Sequence, residues 1–278
     1  RDVAPSRGLG DVYKRQIFIL MLNSGMASDV KEMRKYIKAS TLIAIMGVIV
    51  PAVSFPIAFM LLGYTLKVSL FAGVVFSATS ISITLAVLAE QKKLATPMGA
   101  IILSAAVLDD IIALIAVTLF SVFIGGGSLG VGSLLPLIAF AMGILLRKIS
   151  FSEQLAQGLN WMGSWLFYPI FFGSIGLGIA LQDLSNKLLP IMIFSILAII
   201  TKFFGSLIGA KLSGLNKTVA QAIGAGMISR GEMALVITQI GISSHLIGDA
   251  ASAEFIVAII ISTIVAPILM KPLFSKVN

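Results

Sequence analysis

The chain has 278 residues, 58% of them hydrophobic and 12% charged, with a mean hydropathy of +1.05. A soluble domain carries roughly 25% charged residues, so a water-soluble fold is excluded. Cysteine is absent and histidine occurs once, which removes disulfide frameworks, thiolate nucleophiles, cysteine-rich zinc sites and multi-histidine metal centres. The net charge of +8 reads as membrane topology rather than as affinity for nucleic acid.

In chain order, residues 1–16 (RDVAPSRGLGDVYKRQ) have neither an amphipathic period nor an apolar core followed by a small-residue cleavage site. They place Lys14 and Arg15 against the outer end of an apolar stub, Ile17 to Leu22, that is too short to span. They read as a non-native leader, with the true N-terminus missing. Residues 17–36 then form the stub and a cytoplasmic loop. Apolar segments long enough for a hydrocarbon core, about 20 helical residues, follow from Ile37 to Gly63, Val68 to Ala89, Pro97 to Ile124, Leu129 to Leu146, Leu159 to Leu181, Leu188 to Ala210, Thr218 to Ile242 and Phe255 to Met270. Helices are the predicted form, because a lone sheet would leave unpaired backbone groups in lipid. Thr96 before Pro97 is a helix-starting pair, and Gly205 with Gly209 permits close helix packing. Tyr64, Trp161 and Trp165 fall near predicted interfaces.

Loop charges test this division. Alternate loops hold Lys31, Arg34, Lys35 and Lys38, then Lys92 and Lys93, Arg147 and Lys148, Lys211 and Lys217, and Lys271 and Lys276, twelve basic residues in all. The intervening loops hold two, Lys67 and Lys187. The first set is predicted to be cytoplasmic, and the C-terminus with it. His245 lies in an outer loop near Asp249 and Glu254 and is read as a solvated loop residue. The scattered methionines fill apolar gaps.

Five ionisable residues fall near mid-span: Asp109, Asp110, Lys202, Arg230 and Glu232. A charge at the bilayer centre costs about 2.5 to 3.5 kcal/mol on insertion scales, so such groups pair or line a polar pathway. At the same depth Ser77, Ala78, Thr79 and Ser80 interrupt one span, and Gly224, Ala225, Gly226, Ser229, Arg230 and Gly231 interrupt another. Interrupted spans free carbonyls and half-helix ends to coordinate ions. Serine and threonine hydroxyls that merely bend a helix are the structural alternative. The two interrupted spans run in opposite directions, and each is flanked by a charged span. The triple over residues 37–124 is thus matched by an inverted triple over 188–278, with a linker over 125–187. Adjacent helical residues diverge by about 100°, so one of Asp109 and Asp110 can bind an ion while the other meets Lys202. Carboxylates and hydroxyls suit a small hard cation, and the same carboxylates take up protons when it leaves.

These segments resemble the monovalent cation:proton antiporters, in particular the bacterial sodium/proton and Kef-like potassium branch. The resemblance rests on SATSISITLAVLAEQKKLATPMGAIILSAAVLDD and GAGMISRGEMALVI, supported by FYPIFFGSIGL and ITKFFGSLIGAKLSGL. It implies an all-α integral membrane protein of inverted-repeat antiporter fold with two crossed discontinuous helices, truncated at its N-terminus. It also implies a multi-pass position in a bacterial inner membrane, exchange of sodium or another monovalent cation for protons, and no cofactor. By the same resemblance Asp110 is the main cation and proton ligand, Asp109 pairs with Lys202, and Thr79 and Ser80 lie beside the ion. Arg230 and Glu232 fall in a motif of structural and gating character. Adjacent aspartates resemble the electrogenic exchangers, whose core moves against a dimeric scaffold. The chain departs from the family by being about two spans short near Pro136 to Met142, a loss that falls in linker and scaffold.

A potassium/proton antiporter, a sodium-coupled symporter of the same fold and a nontransporting scaffold are the competing readings. An intramembrane aspartyl protease is disfavoured, because neighbouring aspartates on one helix diverge rather than share a proton.

Overall fold

The computed structural model describes residues 17–23, 25–26, 34–124, 131–147, 158, 170, 173 and 187–277. The expectations for the leader at 1–16, for Trp161 and Trp165, and for a span at 159–181 lie outside these residues. The described secondary structure is helical. The chain divides into two compact units, Lys31–Gly125 with Ala180–Asn278, and Arg1–Val30 with Gly126–Ile179.

In the larger unit α1 spans Ile37–Leu61, α2 Leu66–Val75, α3 Ile81–Glu90 and α4 Pro97–Phe123. After residues of the other unit come α6 Leu188–Leu212, α7 Lys217–Gly226, α8 Glu232–Ser243 and α9 Asp249–Phe274. Four of these helices, α1, α4, α6 and most of α9, are long and apolar enough to cross a membrane. The segments read as interrupted spans are each two shorter helices: α2 stops at Val75 and α3 starts at Ile81, while α7 stops at Gly226 and α8 starts at Glu232.

Local chemistry explains these boundaries. Thr65, Thr96 and Asn216 each accept a backbone N–H three residues on, at 3.4, 3.2 and 2.9 Å, and so begin α2, α4 and α7. Gly63 and Gly214, at φ +86° and +83°, supply the left-handed residue just past the ends of α1 and α6. The two runs of elements share their lengths and spacing. The second long helix, first half-helix and second half-helix begin 151 residues after their counterparts, at 188 against 37, 217 against 66 and 232 against 81.

Helices α1 and α6 form the closest long-helix pair, and glycines set their separation. A Cβ on Gly209 would meet the Leu42 carbonyl oxygen at 2.5 Å, and one on Gly205 the Met46 carbonyl oxygen at 2.6 Å. The sequence reading of Gly205 and Gly209 as a packing face therefore matches the contact. Outward from it run Ile45, Ile49, Val53 and Ile57 on α1 and Met192, Ile196, Ile200, Phe204 and Ile208 on α6. Such exposed apolar stripes at four-residue spacing suit lipid.

One sequence assignment needs correction. The span expected from Phe255 starts earlier, since α9 begins at Asp249, so Glu254 is helical and buried. The run Ala250, Ala251, Ser252, Ala253 favours helix and carries the element back past the apolar boundary.

In the smaller unit α5 spans Val131–Leu146 and a helical stretch occupies residues 17–23. They approach closely at Gly143, where a Cβ would lie 2.1 Å from the Leu22 carbonyl oxygen. Arg147 donates to the Met26 carbonyl at 3.1 Å.

Candidate functional site

The two helix breaks meet in the middle of the larger unit. The Ser80 amide donates to the Ser229 carbonyl at 2.7 Å, and Thr84 Oγ1 donates to the Gly226 carbonyl at 2.7 Å. Gly231 permits this approach, since a Cβ there would sit 2.6 Å from both Cβ and Oγ of Ser80. Residues 75–80 and 224–231 are buried throughout.

Helix α4 brings Asp109 and Asp110 to this meeting point, both buried. Lys202 Nζ on α6 lies 2.7 Å from Asp109 Oδ1 and also donates to the Ser77 carbonyl. The fully buried ammonium thus joins one carboxylate to the carbonyl end of α2, where a cation also meets the negative end of the helix dipole. Arg230 is fully buried and donates to the Ala78 and Ala198 carbonyls, both at 2.8 Å. Among the described residues its guanidinium donates to carbonyls of the first break and of α6, with no carboxylate in an ion pair with it. Its own carbonyl accepts from Thr263 Oγ1 on α9 at 3.2 Å.

Glu232 opens α8, where a carboxylate is favoured by the positive end of the helix. Ser80 Oγ donates to its Oε2 at 2.8 Å and Ser82 Oγ to its Oε1 at 2.7 Å. Sequence reasoning missed Ser82, although its place two residues past the interruption was a usable signal.

Several oxygens at the breaks remain unsatisfied. Among the described residues, Asp110 Oδ1, Asp109 Oδ2, Thr79 Oγ1 and Ser229 Oγ are buried without a hydrogen-bond partner. A buried polar atom left unpaired costs about 1 to 3 kcal/mol, and these four fall on the two breaks and on the aspartate pair of α4. No group of three or more His, Asp or Glu side chains able to hold a metal ion gathers among the described residues.

A second polar cluster lies where the turn after α1, the start of α6 and the first turns of α9 come together. Buried Glu254 accepts from the Tyr64 hydroxyl and lies 3.0 Å from Lys187 Nζ. Burial, with Glu254 beside it, pushes the Tyr64 phenol above its ordinary range. Between this cluster and the breaks, Phe55 stacks on Phe76 at 4.3 Å and Phe59 on Phe194 at 3.8 Å.

The sequence profile described as "Sodium/hydrogen exchanger, transmembrane" matches residues 16–140 and 135–276. The chain belongs to this sodium/hydrogen exchanger family. Similar relatives include the Na(+)/H(+) antiporter of Enterococcus hirae, 29% identical over 339 aligned positions that cover 99% of this chain and 87% of that protein. The probable Na(+)/H(+) antiporter GerT of Bacillus cereus is 28% identical, covering 93% and 84%. The Na(+)/H(+)-K(+) antiporter GerN of the same organism is 25% identical, covering 93% and 81%. With four helices long enough to cross a bilayer, this exchanger-family member is a multi-pass membrane protein of the cation/proton antiporter type.

Proposed function

We propose that this chain exchanges sodium for protons, with Asp110 as the group that holds either one. The observation that carries the reading is the set of buried acceptors without partners, Asp110 Oδ1, Asp109 Oδ2 and Thr79 Oγ1, at the meeting of two helix breaks. Carboxylate and hydroxyl oxygens suit a hard monovalent cation, and a vacated carboxylate takes a proton in its stead. Asp109 does the complementary work. Tied to Lys202, it keeps one buried charge compensated while Asp110 changes occupant. Thr79 and Ser80 supply hydroxyls beside the ion, and Arg230 holds the first break in place against α6.

The equal spacing of the two runs supports an inverted repeat of three helices, with α2–α3 crossing α7–α8. The twelve-to-two bias of loop charges supports a cytoplasmic C-terminus in a bacterial plasma membrane. The family match falls into two pieces that meet at residues 135–140, and the longest alignment has 339 positions against 278 residues, an excess of 61. Both fit a chain shortened between its repeats, in the region that would complete the scaffold of a homodimer.

The test is proton release on cation binding. Adding sodium to the purified protein in weak buffer is expected to release protons, and Asp110→Asn is expected to release none. Equal release by both proteins would exclude Asp110 as the exchanging group.

A further inference from the structure

Glu232 joins a surface hydroxyl to a buried one. Ser82 is exposed and Glu232 partly exposed, whereas Ser80 is fully buried, so the three form a graded polar step from the surface of the larger unit to the breaks. Each carboxylate oxygen takes one hydroxyl, Oε1 from Ser82 at 2.7 Å and Oε2 from Ser80 at 2.8 Å. Beyond Ser80 the next residue in the chain is Thr79, whose buried Oγ1 has no partner among the described residues.

A hydroxyl donates one hydrogen and keeps two lone pairs, and its hydrogen turns freely about the C–O bond. With the site empty, both serines donate to Glu232. When a cation approaches, each rotor can turn its hydrogen away and offer a lone pair instead, so two neutral oxygens and a carboxylate become ligands without moving a heavy atom. We propose that Ser82, Glu232 and Ser80 form an approach subsite that takes a dehydrating monovalent cation from the surface and passes it to Asp110. This rests on the reading of Asp110 as the exchanging group and adds a second cation position to it. Glu232 is then more than a helix-starting carboxylate. A merely structural role needs only acceptor oxygens, one of which glutamine keeps, whereas the approach subsite needs the negative charge.

The test reads the charge displaced when sodium is jumped onto the protein in vesicles adsorbed on a solid-supported membrane, a signal that needs binding but not turnover. Glu232→Gln is expected to raise the sodium concentration for half-maximal displacement about tenfold, the effect of losing about 1.4 kcal/mol of ion attraction. Ser82→Ala is expected to raise it severalfold and Ser82→Thr, which keeps the hydroxyl, to restore it, with the displaced charge at saturation still reached in each. Unchanged half-saturation in both Glu232→Gln and Ser82→Ala, beside a saturating charge that Asp110→Asn reduces, would overturn the approach subsite alone. Loss of saturating charge in Ser82→Ala, or failure of Ser82→Thr to restore, would assign these residues to structure and overturn it as well. A saturating displaced charge that Asp110→Asn leaves unchanged, or no signal from the unmodified protein, would overturn the site reading and this proposal together.

Discussion

Asp109 and Asp110 are adjacent on one helix and both buried, yet only Asp109 meets Lys202. Asp109 gives one oxygen to Lys202 and leaves Oδ2 without a partner, while Asp110 leaves Oδ1 without one. Removing one partner of a buried ion pair typically costs about 3 to 5 kcal/mol, because the other charge is left uncompensated. Asp109→Asn should therefore lower thermal stability in detergent sharply, and Asp109→Leu combined with Lys202→Met should recover much of the loss. Unequal recovery of function is expected as well. If sodium arrival frees Lys202 to give up its proton, the unmodified protein releases more than one proton per sodium, and Asp109→Asn should release fewer; a stoichiometry of one in both would contradict the coupling. That Lys202 meets one of the two aspartates was legible because all three are rare charges at the same depth, while the choice of Asp109 came from the family resemblance. Arg230 was half legible: its depth marked it, but its carbonyl partners exist only because α2 stops short and leaves Ala78 exposed to it. Glu254 was missed because its partners, Tyr64 and Lys187, lie in distant loops and no spacing along the chain announces them.

At the scale of elements, the matched spacing of the two runs divides the chemistry unevenly. The first run supplies Thr79, Ser80 and, through α4, both aspartates; the second supplies Lys202 and Arg230. Corresponding break positions are 151 residues apart, so Gly231 stands where the first run has Ser80, and the serine fills the space the glycine leaves. Gly231→Ala should push the breaks apart, lowering stability and weakening the response to sodium together, which thermal unfolding with and without sodium can check. Gly209→Ala meets backbone on α1 and should lower stability alone. The interruptions were readable as runs of hydroxyl and small residues, since such groups satisfy or tolerate freed backbone in an apolar span. That the two breaks contact each other was not readable, because hydrogen bonds such as Ser80 to Ser229 join residues far apart in sequence.

For the whole molecule, alternating access needs one body to move against another, since a site that cannot change sides carries nothing across. The larger unit contains every residue proposed for the site, while the 61 aligned positions in excess of this chain's length fit a loss near the join of the two family matches. In liposomes this chain should exchange sodium for protons more slowly than a version given a full-length linker between its repeats; equal rates would show that the absent spans are not needed. Over the described residues the order of the apolar segments was legible from hydropathy and loop charge, which act locally. The division of the chain into two units was not, because it depends on which helices pack together.

The central claim is that one carboxylate serves both ions, and its most direct test is the sodium affinity of the purified protein measured across pH. Competition at Asp110 predicts that affinity rises with pH on the acidic side, approaching about tenfold per unit where one proton dominates the site, and then levels off. Asp110→Asn should abolish this dependence along with binding. A sodium affinity that is flat from acid to alkaline pH, or one that keeps the same slope in Asp110→Asn, would contradict the account.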